Sequence, residues 1–506
     1  MSPATTMADI KTIGPFVVGV VVLLGLARLI EKVLGIQKHS SEPPFIPSKV
    51  PYFGHLYFII RRGVSYYAEL TAQYRKKIYS LAMPGGRLYV VNSPEVIGAI
   101  QKLPRVLSFW FIEASLTRNL GGISDKANDI LLDNARGDKG SNSLVIDGMK
   151  ATHQAMAGEH LETLTAQAIQ RAEKELRLLE TSGTENVVDL WEWTQHVFSM
   201  AVSRAVYGPN NPYEDLMVER GLVEFSDHTV TFLTGLPPWI FVRKAYKARE
   251  RIVSAFHQFF AQKSDEKASK LVQVRAKVLR DYGIPEADVA RFESVNGFGI
   301  LLNLLPTAFW TLFHVLADAQ LLEVVREEAK AALGSQKGDA ILGEAVDLTA
   351  ADRLPTLSSI LMESLRYHTA GAAVRMVMED HMLDGKFLLK SDNYVLIPNH
   401  GAHFDTEAWG ANVTEFDAYR FDKRHGAKVH PTAFRGFGGG VNLCPGRTFA
   451  SRIIVLIVAS LVQRFDVEPI TKSGGWEDPG RDETSMAIVL ARPREKVMVM
   501  CTLMWY

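Results

Sequence analysis

Residues 434–450 of this 506-residue chain, FRGFGGGVNLCPGRTFA, are the most informative about its fold. Four of its glycines lie within nine residues, and they let the backbone turn tightly and approach a flat ligand closely. Its one thiol, Cys444, precedes Pro445 and an apolar helical run that starts at Arg447. We therefore expect Cys444 to cap that helix, where the amides and the helix dipole lower the pKa of a thiol. The alternative is an incidental buried cysteine in a turn, with no chemical role, and the length of the motif disfavours it.

Four residues of this stretch give it a recognisable spacing. Phe437, Gly440, Cys444 and Gly446 match the Phe-x-x-Gly-x-x-x-Cys-x-Gly loop of the cytochrome P450 family, which the chain resembles from about residue 43 onward. The resemblance implies a haem b cofactor, with Cys444 as the axial thiolate ligand of its iron and Phe437 beside the sulfur. The family often has a basic residue where this chain has Asn442, so another residue must neutralise that haem propionate.

A second motif pairs an acid and a base on one helical face. Glu363 and Arg366 stand at i, i+3. The resemblance implies that Arg420 is the third member of a buried structural network behind residues 434–446, which we call the thiolate loop. The same spacing occurs at Glu323 and Arg326, which we interpret as an ordinary solvated pair. Only the first pair is followed by the other landmarks of the family in their usual order.

The helix that crosses the haem in this family corresponds to residues 296–310. Where most family oxygenases have an acid followed by threonine, this chain has Leu302 and Asn303. The pattern Asn-x-x-Pro-x-x-Phe-Trp resembles the branch with sterol hydroxylases and prostacyclin synthase. Pro306 should bend the helix, so that water held there by Asn303 or Thr307 can supply protons. The alternative is a packing kink with no catalytic role.

The resemblance also implies contacts to the cofactor and to a substrate. Arg375 matches the arginine that reaches a haem propionate in the family. Candidate substrate contacts are apolar and indicate a hydrophobic substrate: Phe109, Trp110, Phe111, Leu302, Ala372, Val374 and Met486. Residues of these types are more often plain core residues.

Secondary-structure patterns predict a mainly α fold with a small β portion, preceded by a single transmembrane helix; the resemblance implies the cytochrome P450 fold. Residues 78–82 and 87–92 predict a strand pair, and Pro94 begins a helix. Helical spacing covers residues 158–261 and 289–333, with an interruption at 235–239, and we expect a loop over residues 128–147.

Composition limits the classes of function. Lysine plus arginine and aspartate plus glutamate both number 56, so no basic field attracts nucleic acid. The two cysteines, Cys444 and Cys501, exclude a disulfide-stapled secreted scaffold and indicate a reducing compartment.

The N-terminal part predicts a membrane anchor. After a tail of residues 1–11, residues 12–30 are apolar apart from Arg28 and just long enough to span a bilayer. Basic residues follow them, which predicts a single-pass protein with a cytoplasmic catalytic domain. Together with the family resemblance, this implies the endoplasmic reticulum membrane. A proline-rich linker, residues 31–51, leads to the catalytic domain, residues 52–506. The apolar residues 236–241 could also enter the bilayer, or bury themselves in the protein.

The resemblance implies a haem-thiolate monooxygenase that oxidises a lipophilic sterol, terpenoid or other secondary metabolite. Its electrons would come from NADPH-cytochrome P450 reductase, because the chain has no flavin or nicotinamide motif of its own. A docking face for the reductase would contain Lys423, Arg424, Lys428 and Arg447. The alternatives are a haem-thiolate isomerase or dehydratase that needs no reductase, and a non-catalytic haem-dependent ligand-binding protein.

Overall fold

The structure, a computed structural model, describes most of the chain. The described residues are 39–48, 53–135, 139–140, 143–181, 185–234, 236–334, 347–482 and 490–504. The predicted anchor, residues 12–30, the tail before it and the first part of the linker lie outside the described residues.

Helices make up most of the described chain, which confirms a mainly α fold. In the first half they are α1 Phe53–Arg62, α2 Val64–Tyr74, α3 Pro94–Gln101, α4 Trp110–Gly121, α5 Asp125–Leu132, α6 Leu144–Ala155, α7 Gly158–Thr181, α8 Leu190–Tyr207, α9 Leu216–Ser226, α10 Thr229–Leu233, α11 Pro238–Phe241 and α12 Arg243–Ala261. In the second half they are α13 Lys270–Asp281, α14 Glu286–Leu301, α15 Leu304–Leu316, α16 Ala319–Leu333, α17 Pro355–Tyr367, α18 Asn399–His403, α19 Thr406–Trp409 and α20 Arg447–Arg464. Six short 3-10 segments connect them at Gly208–Asn210, Pro212–Glu214, Ser264–Lys267, Leu348–Arg353, Lys423–His425 and Gly440–Asn442.

The β portion is small, as predicted. Its strands are β1 Ile78–Met83, β2 Gly86–Val91, β3 Leu107–Ser108, β4 Glu185–Asp189, β5 Ala372–Val377, β6 His381–Leu383, β7 Phe387–Leu389, β8 Tyr394–Pro398, β9 Phe465–Pro469, β10 Arg481–Asp482, β11 Arg492–Pro493 and β12 Met498–Leu503. The largest sheet has the order β1-β2-β8-β5-β3, and a second has the order β4-β12-β9. In the large sheet β2 runs parallel to β8, whereas the other neighbours are antiparallel.

The first strand pair follows directly from its turn residues. Gly85 has a φ of +84°, a conformation that glycine adopts without steric cost, and it reverses the chain between β1 and β2. Ile78 pairs with Val91 at the open end of this hairpin. Helix α3 then begins with Pro94 at its first position, after Ser93, where the missing N–H of proline costs nothing.

The core is formed by helices that are apolar on all sides. In α20, the residues from Ile453 to Val462 are buried, and α15 is buried over nearly its whole length. Helix α15 packs against α17 and α20, so the sequence after the thiolate loop is tied to the centre of the protein. Of the described residues, only the stretch Glu286–Leu316 is long and apolar enough to cross a membrane, and most of it is buried within the protein.

The predicted loop over residues 128–147 is too long. Helix α5, which Ser124 caps by accepting a hydrogen bond from the amide of Ala127, extends to Leu132. Helix α6 begins at Leu144, so the connection is shorter than its polar composition suggested.

Candidate active site

The thiolate loop is held by its own backbone. The amide of Cys444 donates to the carbonyl of Phe437 at 2.9 Å, which closes the loop. Gly438 and Gly440 have φ values of +79° and +62°. Glycine adopts this left-handed backbone conformation without steric cost, which explains the residue type at both positions. A Cβ at Gly438 would lie 2.9 Å from the carbonyl oxygen of Asn442, which adds a steric reason for glycine.

Cys444 lies next to a helix, although it does not cap it. Helix α20 begins at Arg447 with Gly446 as its N-cap, so the predicted N-cap position of Cys444 is wrong. Burial raises the pKa of the Cys444 thiol, and the amides of Gly446 and Arg447 together with the charge of Arg447 oppose that shift only in part. The direction of this shift is opposite to the low pKa that the sequence predicts for the thiol.

Glu363, Arg366 and Arg420 meet in the interior. The guanidinium of Arg366 donates to both carboxylate oxygens of Glu363, at 2.7 Å each, and both side chains are fully buried. Arg420 donates to the same carboxylate at 3.1 Å. The remaining N–H groups of Arg366 bond the backbone carbonyls of His403, Val413 and Glu415. All five donors of Arg366 are thus satisfied, and the segment around Arg420 is fastened to α17.

His403, to which the sequence assigned no role, connects this network to the thiolate loop. Its Nε2 accepts a hydrogen bond from the amide of Arg435 at 2.8 Å, so the proton must be on Nδ1, which donates to the carbonyl of Arg366 at 3.1 Å. Burial, and then the charge of Arg366, hold the pKa of His403 well below its ordinary value. The neutral imidazole therefore joins the Glu363 network to the residue two positions before Phe437.

The interpretation of Arg326 as part of a solvated pair is wrong. Its guanidinium donates to the carbonyls of Val462 and Phe465 and to the carboxylate of Asp466 at 2.6 Å. Arg326 therefore caps the C-terminal end of α20, whereas its neighbour Glu323 is exposed. The i, i+3 spacing alone could not show that the long arginine side chain reaches another helix.

Two arginines are buried side by side, and neither has an acidic partner among the described residues. Arg375 on β5 is 5% exposed and bonds the carbonyl of Val374, and Arg435 in the thiolate loop is 2% exposed. The Nε and Nη1 atoms of Arg435 are shielded from solvent and have no hydrogen-bond partner in the described part of the chain. Burial lowers the pKa of both guanidinium groups to about 10, and for Arg375 the charge of Arg435 contributes as well. Both side chains line one pocket, which Asn442 also borders.

The sequence singled out Arg375 and missed Arg435. Arg435 stands in the quoted glycine-rich stretch, and the missing base at position 442 was the signal that could have found it. Among the described residues, no cluster of three or more His, Cys, Asp or Glu side chains could hold a metal ion. A loop that contains one thiol and lines a pocket with two arginines fits a haem, because a haem has an iron that a thiolate can bind and two carboxylates.

The central helix is interrupted. Helix α14 ends at Leu301 and α15 begins at Leu304, so Leu302 and Asn303 form a break about one turn before Pro306, the residue expected to bend the helix. Pro306 lies in the first turn of α15, where its missing N–H leaves no gap in the hydrogen bonding. The hydroxyl of Thr307 donates to the carbonyl of Asn303 at 2.7 Å. The predicted pair Asn303 and Thr307 is thus brought together at the break.

Three of the candidate substrate contacts, Phe109, Trp110 and Phe111, lie at the start of α4, which packs against α14 and β5. Phe109 and Trp110 lie half-buried there, with the ring of Phe109 5.0 Å from the guanidinium carbon of Arg375. One helical turn onward, Glu113 has a carboxylate oxygen shielded from solvent that bonds nothing, and burial raises its pKa to about 7. Of the other candidates, Leu302 is buried, and Phe111, Ala372 and Val374 are half-buried. Met486 lies outside the described residues.

The candidate docking cations are not equivalent. Lys423, Lys428 and Arg447 are exposed. Arg424 instead pairs with Asp422 at 2.6 Å and with Glu328 at 2.9 Å, so two carboxylates neutralise its charge. Only the first three remain available for an acidic partner.

Comparison with known proteins points in the same direction as the loop. Residues 304–499 match the family model described as Cytochrome P450. The chain is 31% identical to cytochrome P450 monooxygenase nodJ of Hypoxylon pulicicidum, over 90% of this chain and 89% of that protein. It is 24% identical to a cytochrome P450 monooxygenase of Gibberella zeae, over 90% of this chain and 88% of that one. It is also 24% identical to the human 7-alpha-hydroxycholest-4-en-3-one 12-alpha-hydroxylase, over 85% and 87%.

Proposed function

Because the chain belongs to the cytochrome P450 family and is a monooxygenase of it, we propose that it hydroxylates or otherwise oxidises a lipophilic small molecule. The substrate would be a sterol, a terpenoid or another secondary metabolite. The observation that carries the proposal is the closed glycine-rich loop, which contains Cys444 and also lines, through Gly439, Val441 and Asn442, a pocket with two arginines that have no acidic partner among the described residues. Apolar side chains around Phe109 and Trp110 support a hydrophobic substrate.

Haem b is the proposed cofactor, and when bound it supplies the activation of O2 and the transfer of one oxygen atom. Cys444 would be the axial ligand, and Phe437 would pack beside its sulfur. Gly440 and Gly446 keep the loop compact enough to approach the flat macrocycle. Arg375 would bind a haem carboxylate, because its guanidinium has no acidic partner among the described residues.

Proton supply is assigned to the break between α14 and α15. Asn303 and Thr307 would hold a water there, with the hydroxyl oxygen of Thr307 as an acceptor while its proton bonds the Asn303 carbonyl. This arrangement would replace the acid and threonine of other family members. Glu363, Arg366 and Arg420 have a structural role in this proposal, since they fix the segment that carries the thiolate loop.

NADPH-cytochrome P450 reductase is the proposed electron donor. The exposed cations Lys423, Lys428 and Arg447 lie on or beside the segment that contains Cys444. A positive rim of this kind fits an acidic partner and would bring the electrons to the thiolate side. Rim charges act mainly on the rate of association, so docking should weaken with added salt.

Membrane attachment is proposed for the whole protein, at the endoplasmic reticulum. Residues 12–30 would form the anchor, followed by the linker 31–51 and the catalytic domain 52–506. Two exposed apolar surfaces support this: Trp239, Ile240 and Phe241 on α11, and Phe53, Tyr57 and Ile60 along one face of α1. The alternative that residues 236–241 bury themselves is wrong for α11, whose three apolar side chains are each more than half exposed.

The test is turnover with isotopically labelled O2. Purified protein, reductase and NADPH should convert the natural substrate, found by comparing metabolites with and without the protein, into a product that contains one labelled oxygen. Omitting NADPH or the reductase should stop turnover. Conversion without NADPH and without label would contradict the proposal and establish the isomerase or dehydratase alternative. Reversible binding without conversion would establish a ligand-binding protein.

A further inference from the structure

The pocket beside the thiolate loop contains a charge imbalance that the protein does not resolve. Arg375 and Arg435 reach it from different elements, β5 and the loop, and both are at least nine-tenths buried. Neither bonds a carboxylate in the described part of the chain. The amide oxygen of Asn442, at the position where the family often has a base, is also shielded and bonds nothing.

Burial makes this imbalance costly. Moving a guanidinium out of water is unfavourable unless hydrogen bonds and an opposite charge compensate it, and two neighbouring cations also repel each other. Natural proteins keep such an arrangement where a ligand supplies the missing charge. A ligand that balances the two guanidinium groups must carry two negative charges, and both charges must lie on the same side of the pocket.

We propose that Arg435 binds one of the two haem carboxylates and replaces the basic residue that is missing at position 442, while Arg375 binds at the same edge. This inference rests on the proposed haem cofactor. Arg435 suits the role because its backbone amide donates a hydrogen bond to the imidazole of His403, which fixes the position of its backbone. Its fork of N–H groups can bind a carboxylate through two parallel hydrogen bonds.

The surrounding residues leave Arg435 little freedom. A Cβ at Gly439 would lie 3.3 Å from its Nη1 and 2.5 Å from the amide nitrogen of Gln101. Glycine at this position therefore lets the guanidinium lie close to the backbone of the loop. Gly439 has an extended backbone, so its small size, and no unusual φ, explains the residue.

Haem retention in the Arg435→Leu variant tests the assignment. Haem transfer from the purified holoprotein to excess apomyoglobin should be about tenfold to a hundredfold faster, because a charge-assisted hydrogen bond is lost. The red-shifted Soret band of the ferrous carbon monoxide complex should persist, since the sulfur ligand is unchanged. Arg105→Leu is the matched control: Arg105 is exposed near the same pocket, and its variant should release haem at the original rate.

Haem dimethyl ester, in which both carboxylates are blocked, identifies the group that Arg435 binds. The original protein should bind haem b far more tightly than the ester. Arg435→Leu should reduce the ratio of these two affinities at least tenfold. Where Arg435→Leu does not fold, Arg435→Lys provides the same measurement, with an intermediate ratio because the charge remains and the fork is lost. An unchanged ratio would overturn the role of Arg435. Failure of the original protein to bind haem b would instead contradict the proposed cofactor.

Discussion

At the scale of single residues, the assignment of the thiol is the first expectation to test. Cys444→Ala should abolish the red-shifted Soret band of the ferrous carbon monoxide complex, because no other thiol borders the loop. Cys501→Ala should leave the band unchanged, since Cys501 is buried in β12, between β4 and β9. Absorbance spectra of the reduced, carbon monoxide-treated variants provide the measurement. Loss of the band in Cys501→Ala alone would contradict the assignment.

Glu113 predicts a dependence of stability on pH. In the unfolded chain its carboxyl ionises near the ordinary pKa of 4.5, whereas burial raises the folded pKa to about 7. Its contribution to stability is therefore complete below pH 4.5 and is lost as the pH rises to about 7, by about 3 kcal/mol at most. Relative to the original protein, Glu113→Gln should gain thermal stability at pH 8 and little at pH 4.5.

Thermal unfolding at both pH values measures this gain. The exposed Glu162 on α7 offers a control, because Glu162→Gln should change stability equally little at either pH. A constant difference between Glu113→Gln and the original protein across the range would show that Glu113 is ionised in the folded state.

At the scale of elements, the connection between α17 and the thiolate loop depends on Arg366. Arg366→Leu leaves the buried carboxylate of Glu363 without its two hydrogen bonds from Arg366. Breaking a buried pair typically destabilises the folded protein by ~3–5 kcal/mol. The amount of haem-bound protein recovered after expression should therefore nearly vanish. Lys277→Leu breaks an exposed i, i+4 pair with Asp281 and should cost no more than about 0.5 kcal/mol. Equal haem yields from the two variants would contradict the structural role.

The break between α14 and α15 predicts a pair of contrasting threonine variants. Thr307 and Thr311 both donate to the carbonyl four residues earlier at 2.7 Å, yet only Thr307 bonds the break itself, at Asn303. Thr307→Val and Asn303→Leu should slow product formation and divert electrons to hydrogen peroxide, because the site that holds water is lost. Thr311→Val should cost about 1 kcal/mol of stability without raising peroxide. The ratio of peroxide to NADPH consumed measures the effect, and equal ratios in both threonine variants would contradict it.

At the scale of the whole molecule, attachment and catalysis should be separable. Removing residues 1–38 should weaken membrane association in fractionation experiments and leave haem incorporation intact. Replacing Trp239, Ile240 and Phe241 by serine in the truncated protein should release most of what remains bound. A soluble full-length protein, or a truncated one without haem, would contradict this separation.

Much of the fold could be predicted from sequence because local signals decide it. Gly85 and Pro94 give the first turn and the first helix of the sheet region, and the glycine pattern around Cys444 indicates the family. The length of the loop before α6 was overestimated, since polar composition does not reveal that Ser124 caps a helix. The side-chain partners of Arg326 were missed for a related reason: sequence spacing identifies neighbours within one helix and says nothing about another element.

Residue types at short spacing are enough to indicate the thiolate loop, the acid and base of α17, and the absence of the usual acid–threonine pair. The position of Arg435 beside Arg375 depends on the folded chain, since a loop and a strand far apart in sequence must pack together to make that pocket. The raised pKa of the half-buried Cys444 thiol depends on the folded chain in the same way. The physical reason is that burial and charge pairing depend on distances through space, which the order of residues along a chain does not contain.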